Sequence, residues 1–254
     1  MCSGGVMLNL AINNNAYFFM GTNAGAGIFN DIAKATQNVL IVSPHVSEEH
    51  IDILLKKHAE GVHVTLITST DFEGNTGSKT IYKKLITQAK VTNEQTRRYR
   101  LVGLVLMYLT LFSSVVSAST GAYLENYRLF WGLLALPVGL IVIKLLNKLR
   151  VYSYSYQSNL PFYVMASPNV DPQTRHQTFV NSKIYIIDDQ IAYLGSADFT
   201  RAGFRDHHET MFRIMDKTTV HCIYKEINEL LSDQNRLFRD ISFIGRHIYP
   251  EPRN

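Results

Sequence analysis

The feature that most restricts this chain is a stretch without a single charge, LVGLVLMYLTLFSSVVSASTGAYL, running from Leu101 to Leu124. A membrane-crossing helix needs roughly 20 mostly apolar residues, and this run exceeds that. After Glu125-Asn126-Tyr127-Arg128 a second run, LFWGLLALPVGLIVI, starts at Leu129 and stops before Lys144. It reaches spanning length if Leu145 and Leu146 are counted and Lys144 snorkels. The core helix of a soluble protein is apolar along one stripe, whereas these runs are apolar all round. The sequence therefore predicts a two-helix transmembrane hairpin over residues 101–150, interrupting globular sequence at 1–100 and 151–254.

Arg97, Arg98 and Arg100 precede the hairpin and Lys144, Lys148 and Arg150 close it, while the turn holds only Glu125 and Arg128. The positive-inside rule then places both termini and the globular parts in the cytoplasm. Tyr123, Tyr127, Phe130 and Trp131 cluster at the turn as interfacial anchors, and Pro137 is expected to kink the second helix. The opening MCSGGVMLNL lacks the basic region and apolar length of a cleavable signal, and lacks a Met-Gly start. Insertion is thus expected to depend on the hairpin.

Hydrophobic residues make up 46% of the 254 and charged residues 18%, against about 25% charged in ordinary soluble domains. Disorder, collagen-like repeats and coiled coils are excluded. Twenty-five basic residues against 21 acidic leave a net charge of +4, too mild by itself to argue for nucleic acid. Cys2 and Cys222 form no disulfide framework, which favours a reducing compartment.

Before the hairpin, strand-like stretches (16–21, 38–44, 62–69) alternate with helix-like ones (28–37, 48–59). Ser47 is a good N-cap with Glu48 and Glu49 behind it. A third helix, from about Lys79, is expected to run unbroken into the membrane. After the hairpin the sequence is mostly strand-like, with a tight turn at Asp188-Asp189-Gln190. An amphipathic helix follows over 218–231, its stripe passing through Val220, Ile223, Ile227 and Leu230 or Leu231. The fold class is α/β: one mixed sheet flanked by helices.

The chemistry lies in Asn181-Ser-Lys183-Ile-Tyr-Ile-Ile-Asp188, then Gly195-Ser196-Ala-Asp198-Phe-Thr, then His208-Glu209. On one strand, residues 181 and 183 face the same side, and Ser196 on the neighbouring strand can approach it. A fixed ammonium, a hydroxyl and a side-chain amide around one point form a phosphate cradle that needs no metal ion.

These residues resemble the phospholipase D superfamily. Its signature is histidine, any residue, lysine, four residues, aspartate, followed by Gly-Ser-x-Asn. Lys183, Asp188, Gly195 and Ser196 match, and Glu209 matches the acidic residue that follows; Asp188 and Gly195 belong to the motif's scaffold. The resemblance implies a phospholipase D-like fold. It also implies phosphodiester hydrolysis through a phospho-histidine, without cofactor or metal. A second histidine protonates the leaving group, and the carboxylate at the Glu209 position orients an imidazole. A single motif per chain implies a homodimer that brings two motifs together.

Two positions depart from the pattern. Asn181 stands where the nucleophilic histidine belongs, and an amide neither attacks phosphorus nor shuttles a proton at neutral pH. Asp198 replaces the usual asparagine, removing two N–H donors. Either an enzyme has been disabled at one position, or a pseudoenzyme binds phosphodiesters without cutting them. Retention of Lys183, Ser196 and Glu209 favours the first. The leading expectation is a membrane-anchored phosphodiesterase acting on phospholipid headgroups, disabled at Asn181. The alternatives are a membrane-tethered, metal-independent nuclease and a non-catalytic membrane adaptor.

Other residues carry less. His207-His208 has no further ligand at metal spacing. His45, in Ser-Pro-His, reads as a loop histidine. Gly74 to Thr80 fails P-loop spacing because Ser78, not glycine, precedes Lys79. Arg97, Arg98 and Arg100 are placed to meet anionic lipid or a nucleic-acid backbone, but their first role is topology.

Overall fold

The computed structural model describes residues 8–69, 76–125, 128, 131, 135–164, 181–232 and 240–252. The chain forms two compact units: Met1–Thr87 with Tyr156–Tyr249, and Gln88–Ser155 with Pro250–Asn254.

The first unit is built on an eight-stranded mixed sheet. Its strands are β1 (Leu8–Asn13), β2 (Ala16–Gly21), β3 (Asn38–Val42), β4 (His63–Thr68), β7 (Phe162–Val164), β8 (Lys183–Ile187), β9 (Ile191–Gly195) and β10 (Glu209–Ile214). They lie in the order β1-β2-β10-β9-β8-β3-β4-β7. Only β3–β4 and β4–β7 are parallel; the other pairs are antiparallel. The meander β8–β9–β10 thus sits between two pieces made from the N-terminal sequence. Strand β3 (NVLIV) is apolar at successive positions because it is covered on both faces.

One face carries α1 (Ala26–Lys34), α2 (Glu48–Ala59), α3 (Thr76–Leu85) and α7 (Ile241–Ile248), whose buried residues join Val39, Ile41, Leu66, Tyr185 and Tyr193 in one core. The other face is covered by α6 (Lys217–Ser232), with Val220 and Ile227 buried against Leu40, Val42, Ile67 and Ile186. Ser47 is the α2 N-cap residue, but its hydroxyl pairs with the His50 ring at 2.5 Å instead of the backbone. His50 sits among Phe29, Phe199 and Phe204. Burial, with Arg205 nearby, pushes its pKa down to about 4, so the imidazole is neutral.

The second unit holds most of a two-stranded ribbon, β5 (Ile86–Thr92) with β6 (Tyr152–Ser158), and two helices, α4 (Glu94–Tyr123) and α5 (Ala135–Asn147). Here the structure corrects the sequence reading. The helix expected to run from Lys79 into the apolar segment ends at Leu85, and ITQAKVT is a strand. A new helix starts where Asn93 caps it, accepting a hydrogen bond from Thr96 N at 3.0 Å. The β-branched Ile86, Thr87, Val91 and Thr92 favour the strand.

Helix α4 is apolar and 30 residues long, enough to cross a membrane, and its buried residues are Ser114 and Gly121. Its leucines, valines and Phe112 are largely exposed, the inverse of a soluble core helix. Helix α5 has 13 residues, about 20 Å at 1.5 Å per residue, short of a roughly 30 Å hydrocarbon layer. Among the described residues, one helix is therefore long and apolar enough to span, not the two expected. Pro137 is the third described residue of α5.

The helices pack antiparallel. Gly103 lies against Leu146, and Gly139 against Leu111 and Met107; a Cβ at Gly139 would come within 2.7 Å of Leu111. Tyr123 and Trp131 are exposed, and Tyr127 and Phe130 lie outside the described residues.

Candidate functional site

Strand β8 begins at Lys183, and Asn181 precedes it rather than sharing the strand as expected. The two residues meet nonetheless. The Lys183 ammonium donates to Asn181 Oδ1 at 2.8 Å and to the Asn181 carbonyl oxygen at 3.1 Å. Asp198 Oδ1 lies 3.9 Å from Lys183 Nζ. That oxygen is buried and has no hydrogen-bond partner. Burial pushes the Asp198 carboxyl above its ordinary pKa; the charges of Lys183 and His45 pull it back, Glu209 adds to the rise, and His207 opposes it.

A second cluster adjoins this one. Ser196, just past β9, donates its hydroxyl to Glu209 Oε2 and accepts from Thr210 N at 2.9 Å. His207 Nδ1 lies 3.7 Å from the other Glu209 oxygen. Glu209 thus engages Ser196 and His207.

Glycine makes this approach possible. Gly195 is opposite Lys183 on β8 and Met211 on β10. A Cβ at Gly195 would run into the Thr210 carbonyl oxygen and Met211. Without one, β10 comes close enough for Ser196 N to donate to Thr210 O at 2.9 Å. Gly203, in a π-helical turn over Ala202–Asp206, packs on the Asp198 backbone; a Cβ there would lie 2.6 Å from the Asp198 carbonyl oxygen.

At the opposite end of the β8–β9 hairpin, Asp188 reaches the loop before β3. It accepts from the N–H groups of Thr36, Gln37 and Asn38 at 2.8–3.1 Å and from the Thr36 hydroxyl at 3.3 Å. Partial burial pushes its pKa up, but the hydrogen bonds from Gln37, Thr36 and Asn38 outweigh it and leave the carboxyl low.

The structure therefore brings Asn181, Lys183 and Asp198 together, with Ser196 and Glu209 beside them, and sets Asp188 apart. It adds His45, His207 and Ser43 to the neighbourhood; the Ser43 hydroxyl accepts from Phe199 N at 2.9 Å and donates to the His45 carbonyl at 2.7 Å. Their signal in the sequence was slight: a Ser-Pro-His at the end of β3 and a histidine two residues before Glu209. Among the described residues no three His, Cys, Asp or Glu side chains are placed to hold a metal ion.

Comparison with known proteins now bears on this geometry. The family model described as "Cardiolipin synthase, PLD-like domain" matches residues 138–231, which include every residue of both clusters. Residues 138–231 thus match a phospholipase D-like domain. Among solved structures, NucT from Helicobacter pylori is 14% identical with a TM-score of 0.47, over 85% of this chain and 95% of that one. The phospholipase D family member Nuc from Salmonella typhimurium is 11% identical with a TM-score of 0.45, over 89% and 100%. Phosphatidylserine synthase from Haemophilus influenzae is 11% identical with a TM-score of 0.39, over 87% and 40%. No curated protein matches the chain. The structural likenesses are low, and the phospholipase D-like assignment rests on the family model and the motif.

Proposed function

We propose that this chain is a membrane-anchored phospholipase D-like phosphodiesterase for phospholipid headgroups. With Asn181 in the nucleophile's place, it grips a phosphodiester without cutting it. The observation that carries this reading is the Lys183 ammonium, held by Asn181 and facing an unpartnered Asp198 oxygen in the phospholipase D-like motif. A phosphoryl oxygen takes the charge of Lys183, and Asp198 stands where the family's asparagine would donate an N–H. Ser196 and Glu209 form the second wall.

Histidine at position 181 completes the chemistry. Its imidazole attacks phosphorus, the P–O bond to the leaving alcohol breaks, and the imidazole from a second copy of the chain delivers the proton. Water then cleaves the phospho-histidine. Helix α4 is the anchor, and α5 folds back along it. Asn93 N donates to Val151 O at 2.9 Å, so the chain enters and leaves the helical pair at one level. This supports α4 and α5 as one antiparallel pair whose outer ends lie together.

The test is Asn181→His, assayed beside the unaltered chain on mixed phospholipid vesicles and on single-stranded DNA. Restoring a covalent nucleophile is expected to raise the rate by roughly 10⁶-fold, on phospholipid. Cleavage of DNA instead would make the protein a tethered nuclease. A folded, dimeric histidine variant that cuts neither would make it an adaptor.

A further inference from the structure

The second unit contains a groove of about 360 Å³ at the foot of α4. Arg97, Arg100, Leu101, Leu104, Val105 and Tyr108 line it from the helix, and Tyr152 from the returning strand. Their spacing of three and four residues puts them on one helix face. Along that face the cations come first and the apolar side chains follow over the next two turns. From residue 97 to residue 108 the helix rises about 16 Å, on the scale of a phosphate followed by the first part of an acyl chain.

Arg100 is the telling residue. It donates from Nη2 to Asn147 Oδ1 at 3.0 Å, yet its Nε is buried without a partner. A buried donor left unpaired is costly and points to an acceptor that arrives from outside the chain. Arg97 is exposed and meets Glu94 at 3.4 Å through Nη1, which leaves its other nitrogens to a ligand. Lys90 Nζ lies 3.4 Å above the ring of Tyr152. Two arginines against the single Glu94 carboxylate select an anion, and the leucine face beneath selects one with a hydrocarbon tail.

We infer that this groove binds an anionic phospholipid as a site separate from the Lys183 cluster. Its phosphate bridges Arg97 and Arg100, and one acyl chain lies along Leu101, Leu104 and Val105. Arginine suits the task because its planar fork pairs with two phosphate oxygens at once. The inference rests on reading α4 as a membrane helix.

The experiment uses the full chain extracted in mild detergent, with phosphatidylglycerol or phosphatidylcholine added and bound lipid counted by native mass spectrometry. Phosphatidylglycerol should be retained about tenfold over phosphatidylcholine, and the double variant Arg97→Gln, Arg100→Gln should lose that preference. Leu104→Trp, which fills the groove and keeps both arginines, should also lower retention, whereas Lys56→Gln, at an exposed position of α2 outside both sites, should not. Undiminished retention in the double variant and in Leu104→Trp overturns the site. So does displacement by soluble glycerol phosphate at equal concentration, since the tail would then contribute nothing. Alkaline carbonate treatment of membranes separates the two readings. A chain that stays in the pellet but shows no lipid preference loses the site and keeps its anchor. A chain that is released loses both.

Discussion

The two ends of the β8–β9 hairpin each carry an aspartate, and they are opposites. At the turn, Asp188 is surrounded by donors: three backbone N–H groups and a hydroxyl converge on its oxygens. At the open end, Asp198 has a buried oxygen with no donor at all. The same side chain is held charged at one end and pushed toward the neutral acid at the other. The turn end has its polar needs met by the fold and stabilises it. The open end has an unmet need beside a lysine, and unmet polar groups in native structures mark places where a ligand completes the site.

Substitutions sharpen this contrast. Gly195→Ala should cost about 3 kcal/mol or more, because the new methyl meets the β10 backbone rather than a movable side chain; urea unfolding measures it. Asp188→Asn keeps a residue tolerant of the left-handed backbone there (φ 51) but loses the charge that holds the Thr36 loop. It should cost about 1–2 kcal/mol after allowance for solvent screening. Asp198→Asn should instead raise the melting temperature at neutral pH, by about 2–4 °C.

The pH dependence of the two effects differs in a defined way. Asp188 has a lowered pKa in the folded state, so its stabilisation is present above the unfolded-state value. It is lost as pH falls through the folded value, and the Asp188→Asn penalty should fade there. Asp198 has a raised pKa, so the folded state is favoured at low pH and loses ground as pH climbs through the folded value. The Asp198→Asn gain should therefore vanish on acidification, and at a higher pH than the Asp188→Asn penalty does. Thermal melts from pH 8 down to pH 3 would show both. Loss of the two effects at one common pH would remove the contrast.

Much of this was legible beforehand where patterns are local. Strand β2, helix α2 and the stripe of α6 follow from a short apolar run, an N-cap and helical spacing, and the spacing of 181, 183, 196, 198 and 209 marked the cluster. Strand β5 was not legible. Gln88, Ala89 and Lys90 suit a helix as well as a strand, and the decision comes from pairing with β6, a distant segment. Strand β1 was missed because LNLAIN is short, uncapped and exposed at the sheet edge, with Leu10 and Ile12 outward. The donors on Asp188 come from a loop 152 residues away. The placement of Asp198 depends on Gly203 packing against its backbone from the π-helical turn. No spacing rule reaches that far.

The order of the sheet has a consequence for how the molecule is made. Strands β1–β2 and β3–β4 leave the ribosome early as two separate pieces, and the meander that joins them is made last. Synthesis at roughly 5–20 residues per second puts ~8–30 s between Thr36 and its partner Asp188. During that interval the whole of α4 emerges, so the apolar helix meets its surroundings before the sheet exists. When β8, β9 and β10 arrive they do not extend an edge. They enter the gap between two waiting halves, and the middle of the sheet is the last part to be born.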